Sequence, residues 1–282
     1  MHSLVPNPVL NVIHQLQKVG HEAYLVGGCV RDMLRGSSPK DFDVATSALP
    51  EQVTSMFAHV IPTGIKHGTV TVRDGGMLVE VTTFRSDGEY SDGRRPDSVK
   101  FETDVIKDLS RRDFTVNAMA FNPFLMEDGG DVNGLIVDPF GGRLDIENKV
   151  IRCVGDPVAR FTEDGLRCIR AIRFSSTLGF TIDEPTYYAI YKTAHIFRKV
   201  AVERIVQETN KILLSENASS GLASMLDTEL LSSILPDSVL DHADLWKRFL
   251  SVDRVSDLES KYAILLYSMK DPRPNLEWLK LP

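Results

Sequence analysis

The sequence predicts an α+β fold in two parts: an α/β domain with a mixed or antiparallel sheet over residues 1–150, and an all-helical domain over residues 151–282. Up to about residue 150, short β-branched runs alternate with helical patterns. From Asp156 onward the strand signals stop, and every later segment has helical periodicity. The length of 282 residues also favours about two domains.

The elements of the first part follow from periodicity and turn residues. Apolar residues at positions 9, 10, 12, 13 and 16 predict a helix over Val9–Lys18. Asp74-Gly75-Gly76 separates two strand-like runs and predicts a hairpin. The other predicted elements are a strand at 23–26, helices at 50–57 and 104–110, a helix or strand at 115–121, a turn at 138–142 that leads into 143–148, and a strand at 150–154.

The second part contains five segments with helical patterns and no internal repeat. They are residues 157–178, 184–197, 202–214, 221–234 and 239–251. Two stretches of the first part are instead rich in Gly, Ser, Asp or Pro. We expect residues 86–98 to form a mobile loop and the acidic, Gly-rich residues 126–133 to form another loop or an insertion.

Composition limits the classes of function. The net charge of −7 does not favour broad, non-specific nucleic-acid binding, although clustered arginines can still contact RNA. Cys29, Cys153 and Cys168 lack a CxxC spacing and are expected to be small buried residues in a reducing compartment. No apolar run approaches 18 residues and residues 1–7 lack a secretory signal, so we expect a cytoplasmic protein without a membrane span.

The stretch Leu25–Leu34 predicts a buried strand, a glycine turn and the start of a helix. Gly27 and Gly28 allow a ligand to approach the backbone closely, since glycine tolerates positive φ. The free N–H groups and positive dipole end of a helix favour an anion such as a triphosphate. Arg31 lies in the first turn, where a cation is unfavourable unless something negative binds there.

Asp41 and Asp43 are two residues apart on a predicted strand, so both project from one face. Two carboxylates on one face repel each other unless a cation is shared, and Mg²⁺ is bound by one or two carboxylates together with substrate phosphates. A lone Asp-x-Asp more commonly lies on a solvated loop. Glu80 lies in the middle of a later strand, and the sequence leaves open whether it marks an exposed face or a third carboxylate near the pair.

These residues, together with four later motifs, resemble a known family. Gly27-Gly28-x-x-Arg31-Asp32 and Asp41-x-Asp43 look like the signature of the polymerase-β nucleotidyltransferase superfamily. The order of five motifs over about residues 20–235 is similar to that of class II CCA-adding tRNA nucleotidyltransferases and bacterial poly(A) polymerases. The remaining motifs are Arg111-Arg112-Asp113 with Asn117, Asp138-Pro-x-Gly-Gly142 with Asp145, Glu163-Asp164-x-x-Arg167-x-x-Arg170 and Val202-Glu-Arg204.

The resemblance implies a polymerase-β-like head, then an all-helical neck and partial body, and an enzyme that adds C and A to the 3′ end of tRNA from CTP and ATP without a nucleic-acid template. It implies that Asp41 and Asp43 are catalytic and hold Mg²⁺. Nucleotide-binding roles fall on Gly28, Arg31, Arg112, Asp113, Asn117, Asp164, Arg167, Arg170 and Arg173. The third motif is a hinge, and the fifth supports the neck.

The chemistry of Asp164 and Arg167 is consistent with base selection. An ionised Asp only accepts hydrogen bonds and an Arg only donates them. Cytosine and adenine each offer an amino donor beside a ring-nitrogen acceptor, whereas uracil and guanine offer a carbonyl acceptor beside an N–H donor. The alternative is a structural ion-pair network of the arginines with Glu163 and Asp164, because arginines interleaved with apolar residues are half-buried and need partners.

Three other functions remain open from the sequence. A bacterial poly(A) polymerase has the same motifs, and a CC-only or A-only enzyme is also compatible with them. The loop at 86–98, which CC-only members are thought to shorten, argues against the CC-only version. The third alternative is a non-catalytic RNA- or nucleotide-binding module, against which Asp41 and Asp43 argue. Members of the family are typically longer, so most of the tail that would hold tRNA is expected to be missing or replaced.

Overall fold

The computed structural model describes residues 4–88, 98–124 and 136–279, which fall into two compact units. The first unit runs to Asn148 and the second begins at Lys149. The predicted loop or insertion at 126–133 lies outside the described residues. Of the predicted loop at 86–98, residues 86 and 87 belong to a strand instead, and residues 89–97 lie outside the described part.

The first unit combines helices and strands in the order expected for its α/β patterning. Its helices are α1 (Asn7–Lys18), α2 (Gly28–Leu34), α3 (Pro50–Met56), α4 (Val105–Ser110) and α5 (Gly142–Glu147). Its strands are β1 (Ala23–Val26), β2 (Asp43–Thr46), β3 (Val60–Gly64), β4 (Thr69–Asp74), β5 (Met77–Thr83), β6 (Arg85–Asp87), β7 (Val99–Phe101), β8 (Ala120–Phe121) and β9 (Ile136–Val137). The segment at 115–121, left as helix or strand by its sequence, contains both a short 3₁₀ turn and β8.

Seven strands form one mixed sheet in the order β3-β4-β5-β2-β1-β8-β9, which confirms the expectation of a mixed or antiparallel sheet. The predicted hairpin is the antiparallel pair β4 and β5. The one parallel pair of this sheet is β2 with β5, which places Asp43 opposite Glu80. Strands β6 and β7 form a separate antiparallel pair.

Helix α1 packs on the sheet through the face that its periodicity predicts. Val9, Val12, Ile13 and Leu16 are fully buried and recur at helical spacing. They share a core with Leu25, Val44, Val70, Val79 and Val81 from the strands. Along β5, buried Val79 and Val81 alternate with exposed Leu78 and Glu80, so one face of this strand supports the core and the other faces solvent.

The described residues of the second unit form helices and one short strand pair. Its helices are α6 (Pro157–Glu163), α7 (Leu166–Leu178), α8 (Glu184–Phe197), α9 (Val202–Leu213), α10 (Ala218–Asp227), α11 (Asp237–Leu240), α12 (Leu245–Val252), α13 (Leu258–Leu266) and α14 (Arg273–Trp278). The expectation that strands end before Asp156 was wrong in one place, because β10 (Val150–Ile151) pairs in parallel with β11 (Thr181–Ile182). Two-residue strands are too short to give a periodic signal in the sequence.

The segment predicted as one helix over 157–178 is two helices. Asp164 is extended, with φ −142° and ψ 105°, and its carboxylate accepts the backbone N–H of Leu166 at 3.1 Å. Gly165 follows, where a Cβ would lie 3.1 Å from Val200 Cγ2 and 3.2 Å from the Ile196 backbone. The break therefore comes from the extended Asp164, whose carboxylate accepts the first N–H group of α7, and from a glycine that allows a close approach of Ile196 and Val200.

The three cysteines are buried and free, as the sequence predicts. Among the described residues, the structure contains no helix that is both long enough and apolar enough to cross a bilayer.

Candidate active site

The glycine turn after β1 brings a cation and a carboxylate together. Gly27 has φ 76° and ψ −135°, a backbone conformation that favours glycine. A Cβ at this position would lie 3.0 Å from Arg112 Nη1 and 3.9 Å from Asp43 Oδ2. The absence of a side chain thus leaves room for both groups at the start of α2.

The two predicted catalytic aspartates lie at the beginning of β2. Strand β2 starts at Asp43, so the expectation that Asp41 is also in the strand was wrong. Exposed Asp41, buried Phe42 and exposed Asp43 nevertheless alternate as an extended segment should. Since Phe42 is anchored in the core, both carboxylates face solvent.

Glu80 is the residue whose role the sequence left open, and the sheet register brings it beside Asp43. The two residues are direct partners in the parallel pair β2 and β5. Adjacent strands lie about 5 Å apart, so their carboxylates are neighbours. Sequence alone could not reveal this, because the two strands are separated by the α3–β4 segment and their register is a tertiary property.

Electrostatics reflect this crowding of carboxylates. Partial burial raises the pKa of Asp43; the Arg112 charge opposes that shift, and the Asp41 charge adds to it. Burial also raises the pKa of Glu80, and the Asp43 charge adds to the effect. Water reaches both side chains, but the surrounding protein still disfavours their charged forms.

Arg112 is held in place by a carboxylate that was not among the residues predicted for the site. Asp108 on α4 is fully buried, and its Oδ2 accepts from Arg112 Nη2 at 3.1 Å while its Oδ1 accepts from Arg111 Nη2 at 2.8 Å. Burial would raise the pKa of Asp108, but the charges of Arg112 and Arg111 outweigh it and lower that pKa. The i, i+3 and i, i+4 spacing on one helix was the available signal.

Three further predicted residues form one hydrogen-bonded chain. Arg31 Nη1 donates to Asn117 Oδ1 at 2.7 Å, and Asn117 Nδ2 donates to Asp113 Oδ1 at 3.3 Å. All three residues are buried to more than nine-tenths. Arg31 also pairs with Asp32 at 2.8 Å, which supplies part of the negative charge that its helical position requires.

The first unit thus presents a carboxylate cluster and guanidinium groups around a glycine turn. Such a set can hold a polyanion and a divalent cation together, because the cation relieves the repulsion among the carboxylates. Among the described residues no group of three His, Cys, Asp or Glu is already arranged as a metal site. Mg²⁺ commonly uses only one or two carboxylates and completes its shell with phosphates and water, so Asp41 and Asp43 fit this ion.

In the second unit, Asp164 pairs with Arg204 of α9. Arg204 Nη2 and Nη1 donate to Asp164 Oδ2 and Oδ1 at 2.8 and 3.2 Å, a bidentate geometry. Both side chains remain partly accessible. From the sequence, Arg204 is expected only as part of a motif that supports the neck.

The arginines of α7 are half-buried, as expected, and Arg167 and Arg173 pair with carboxylates. Arg167 pairs with Glu163 at 2.6 Å, and Arg173 pairs with the buried Glu208 at 2.8 Å. The Arg170 guanidinium carbon lies 5.4 Å from the centre of the Phe174 ring. An ion-pair network, which the sequence had left as the alternative to base selection, is therefore present around Arg167 and Arg173.

Two family sequence profiles match this chain. The family described as "Poly A polymerase head domain" matches residues 23–152, and the family described as "Probable RNA and SrmB- binding site of polymerase A" matches residues 179–239. Together they cover well over half of the chain.

Curated relatives and a solved structure agree with these matches. The chain is 44% identical over 278 residues to a CCA-adding enzyme of Geobacillus thermodenitrificans, covering 97% of this chain and 66% of the relative. It is 43% identical to a CCA-adding enzyme of Oceanobacillus iheyensis, covering 93% of this chain and 63% of that protein. A crystal structure described as Bacillus stearothermophilus CCA-adding enzyme in complex with CTP superposes with a TM-score of 0.82 at 39% identity, over 98% of this chain and 66% of the other. The chain thus spans about two thirds of the length of the relatives it matches.

Proposed function

This chain belongs to the family of CCA-adding enzymes and bacterial poly(A) polymerases, and we propose on that basis that it is a tRNA nucleotidyltransferase. It adds C and A to the 3′ end of tRNA, uses CTP and ATP, and needs no nucleic-acid template. The first unit is the catalytic head, and the second is the neck and part of the body. The three buried, free cysteines suit the cytoplasm, where we place the reaction.

The observation that carries the proposal is the meeting of Asp43, Arg112 and Gly27 at one turn, with Glu80 in register beside Asp43. A module that only bound RNA would gain nothing from carboxylates crowded against one another. Their raised pKa values mean that the ionised cluster is held at a cost to the fold. Such costs are common where a group is kept for chemistry rather than for stability.

Different residues around the turn bind different parts of the nucleotide. The backbone at Gly28 and the side chains of Arg31 and Arg112 bind the triphosphate, since guanidinium groups fork onto phosphate oxygens. Asp113 and Asn117 contact the ribose hydroxyls, and a contact to the 2′-hydroxyl selects ribonucleotides. The hydrogen-bonded chain from Arg31 through Asn117 to Asp113 supports a joint role, because it fixes the phosphate and ribose groups relative to each other.

Asp41 and Asp43 hold Mg²⁺, and Glu80 stands beside them as a third carboxylate. When bound, the cation supplies charge stabilisation for the attacking and leaving oxygens. The 3′-hydroxyl of the RNA attacks the α-phosphorus and loses its proton, while the bond from that phosphorus to the bridging oxygen breaks and pyrophosphate leaves with the electron pair. Arg112, held by Asp108, faces the negative charge that this step moves onto the leaving group.

The second unit selects the base through Asp164 and Arg167, with Arg170 and Arg173 as further nucleotide contacts. The bidentate pair with Arg204 leaves Asp164 partly accessible and fixes its carboxylate plane. A fixed acceptor beside a donor distinguishes cytosine and adenine from uracil and guanine. Because Arg167 already pairs with Glu163, it either donates to the base and to Glu163 at the same time or leaves Glu163 when the base binds.

Nucleotide addition at single-residue resolution tests the proposal and its alternatives. The full chain is incubated with a tRNA that lacks its 3′-terminal CCA, with each nucleotide alone and with CTP and ATP together. Three added residues ending in A support the proposed activity, and two residues or one residue identify a CC-only or A-only enzyme. Long adenylate products on oligo(A) identify a poly(A) polymerase, and no addition to any RNA leaves only a binding module.

A further inference from the structure

Helix α8 is buried against other helices on one side and exposed on the other. Its buried residues fall within a sector of about 140° at 100° per residue. They are Thr186, Ala189, Ile190, Thr193, Ala194 and Phe197. This sector packs against α6 and α7 within the second unit, so the fold already uses one side of the helix.

The opposite side carries aromatic and basic residues. Tyr188 and Tyr191 are 62% and 51% exposed, and with Lys192 and His195 they fall within a sector of about 100°. Arg198 and Lys199 are also exposed and continue the same turn past the helix end. Among the described residues, Lys192, Arg198 and Lys199 form no ion pair. We refer to Tyr188, Tyr191, Lys192, Arg198 and Lys199 as the aromatic-basic face.

A groove borders the tyrosine end of this face. It has a volume of about 520 Å³ and is lined by Ile182, Glu184, Tyr187, Tyr188, Tyr191 and Asp227. The Tyr187 hydroxyl donates to Asp227 Oδ2 at 3.1 Å. The groove therefore offers flat rings beside carboxylate acceptors, while the cations lie toward the other end of the helix.

This division of chemistry matches one kind of partner. Unpaired bases stack on tyrosine rings, carboxylates accept from ribose hydroxyls and base amino groups, and Lys and Arg contact phosphates. A helix dipole accounts for cations near the C-terminal end, but it gives no reason for two exposed tyrosines in the middle of the helix. The match of residues 179–239 to a family described as a probable RNA-binding site includes this helix.

We propose that the aromatic-basic face of α8 binds RNA, with Tyr188 and Tyr191 stacking on bases or ribose and Lys192, Arg198 and Lys199 contacting phosphates. The proposal rests on the proposed function in one respect, namely that the RNA is tRNA. It adds a named surface for the partner that the chemistry in the first unit requires.

The test is equilibrium binding of the full chain to tRNA lacking its 3′ CCA, in the absence of nucleotide. The double substitution Tyr191→Ala/Lys192→Gln should weaken binding about tenfold or more, because it removes one stacking ring and one phosphate contact. A matched control removes the same residue types elsewhere in the second unit. Tyr267→Ala/Lys270→Gln, both at exposed positions, should stay within about twofold of wild type.

A second measurement separates charge from stacking. The triple substitution Lys192→Gln/Arg198→Gln/Lys199→Gln should reduce the slope of log affinity against log salt concentration by about two to three. Thermal midpoints equal to wild type show that these surface variants are folded. The proposal would be overturned if the face variants matched wild type in affinity and in salt slope, or if the control pair lost affinity equally. The first of these results is also the one expected if this face binds a protein instead of RNA.

Failure of this inference is distinguishable from failure of the proposed function. Binding is measured without nucleotide, whereas nucleotide addition is measured separately on the wild-type chain. A wild-type chain that binds tRNA through this face but adds no nucleotide contradicts the catalytic proposal and supports the surface. A chain that adds CCA while the face variants bind tRNA normally supports the catalytic proposal and contradicts the proposed RNA-binding surface.

Discussion

The carboxylate of Asp164 is bound by Arg204, at 2.8 and 3.2 Å, while the guanidinium of Arg167 is bound by Glu163. The two residues expected to read the base are therefore held by two different partners. Asp164 comes from the break between α6 and α7, and Arg204 comes from the first turns of α9. We therefore expect Arg204 to position Asp164, which leads to the first prediction.

Arg204→Gln should relax discrimination between bases. Without the guanidinium, the Asp164 carboxylate loses its fixed plane and its charge partner. Losing a hydrogen bond of this kind costs about 1–3 kcal/mol, so the ratio of kcat/KM for CTP over UTP should fall about 5- to 150-fold. Arg204→Lys keeps the positive charge but cannot form the bidentate pair, and it should show an intermediate ratio of kcat/KM for CTP over UTP. Equal losses for all four nucleotides would mean that Arg204 has only a structural role.

A comparison of the single variants Arg167→Ala and Glu163→Gln distinguishes recognition of the base by Arg167 from its ion pair with Glu163. If Arg167 reads the base, its removal should admit UTP and GTP more readily, while Glu163→Gln should retain most of the preference for CTP and ATP. If the pair at 2.6 Å is only structural, the two variants should lose rate alike for every nucleotide. Asp164→Ala should behave as Arg167→Ala does. The measurement is single-turnover addition of each nucleotide to the same tRNA.

Asp108→Asn should weaken the binding of the nucleotide triphosphate and destabilise the fold at neutral pH. The buried carboxylate orients Arg111 and Arg112, and breaking a buried ion pair costs about 3 kcal/mol. We expect a higher KM for CTP with less change in the KM for tRNA. Arg112→Lys, which keeps the charge at this position, is the comparison, and an unchanged KM in Asp108→Asn would contradict the positioning role.

The stability of Asp108→Asn should also depend on pH in one direction. The folded-state pKa of Asp108 lies below its ordinary value, so its contribution is present above the ordinary pKa and is lost as pH falls through the folded pKa. The difference in thermal midpoint between wild type and Asp108→Asn should therefore be full near pH 7 and shrink below about pH 4. A difference that is constant across this range would contradict the assignment.

Asp43→Asn should stabilise the metal-free protein while abolishing its activity. The pKa of Asp43 is raised in the folded state, so the ionised carboxylate lowers stability above that pKa, and the penalty is absent below the ordinary pKa of aspartate. The variant should have the higher thermal midpoint at pH 7 to 8, and the advantage should vanish below about pH 4. Mg²⁺ should raise the midpoint of wild type more than that of Asp43→Asn. Glu80→Gln, whose pKa is raised in the same way, is expected to follow the same pattern.

Local patterns were enough to predict several elements but not the contacts between distant ones. Helix α1 and the β4–β5 hairpin follow from periodicity and a Gly-Gly turn, which act over a few residues. The place of Glu80 depends on the parallel register of β2 and β5, and no sequence pattern specifies that register. The Asp164–Arg204 pair joins residues 40 positions apart, and the break at Gly165 depends on the close approach of Ile196 and Val200. Asp108 was not predicted, because an acidic residue on a short helix is ordinarily solvated and only the fold buries it beneath Arg111 and Arg112.

The rate of CMP addition from CTP to tRNA lacking its 3′ CCA, for wild type and Asp43→Ala in the presence of Mg²⁺, tests the central claim most directly. Asp74→Ala, which removes a carboxylate at the hairpin end of β4 in the same unit, is the matched control. We expect Asp43→Ala to lose at least about a thousandfold in rate, since a metal-bound carboxylate supports several kcal/mol of charge stabilisation. Asp74→Ala should keep the wild-type rate of addition. The thermal midpoints should show that both variants are folded. Addition by Asp43→Ala at the wild-type rate would contradict the account.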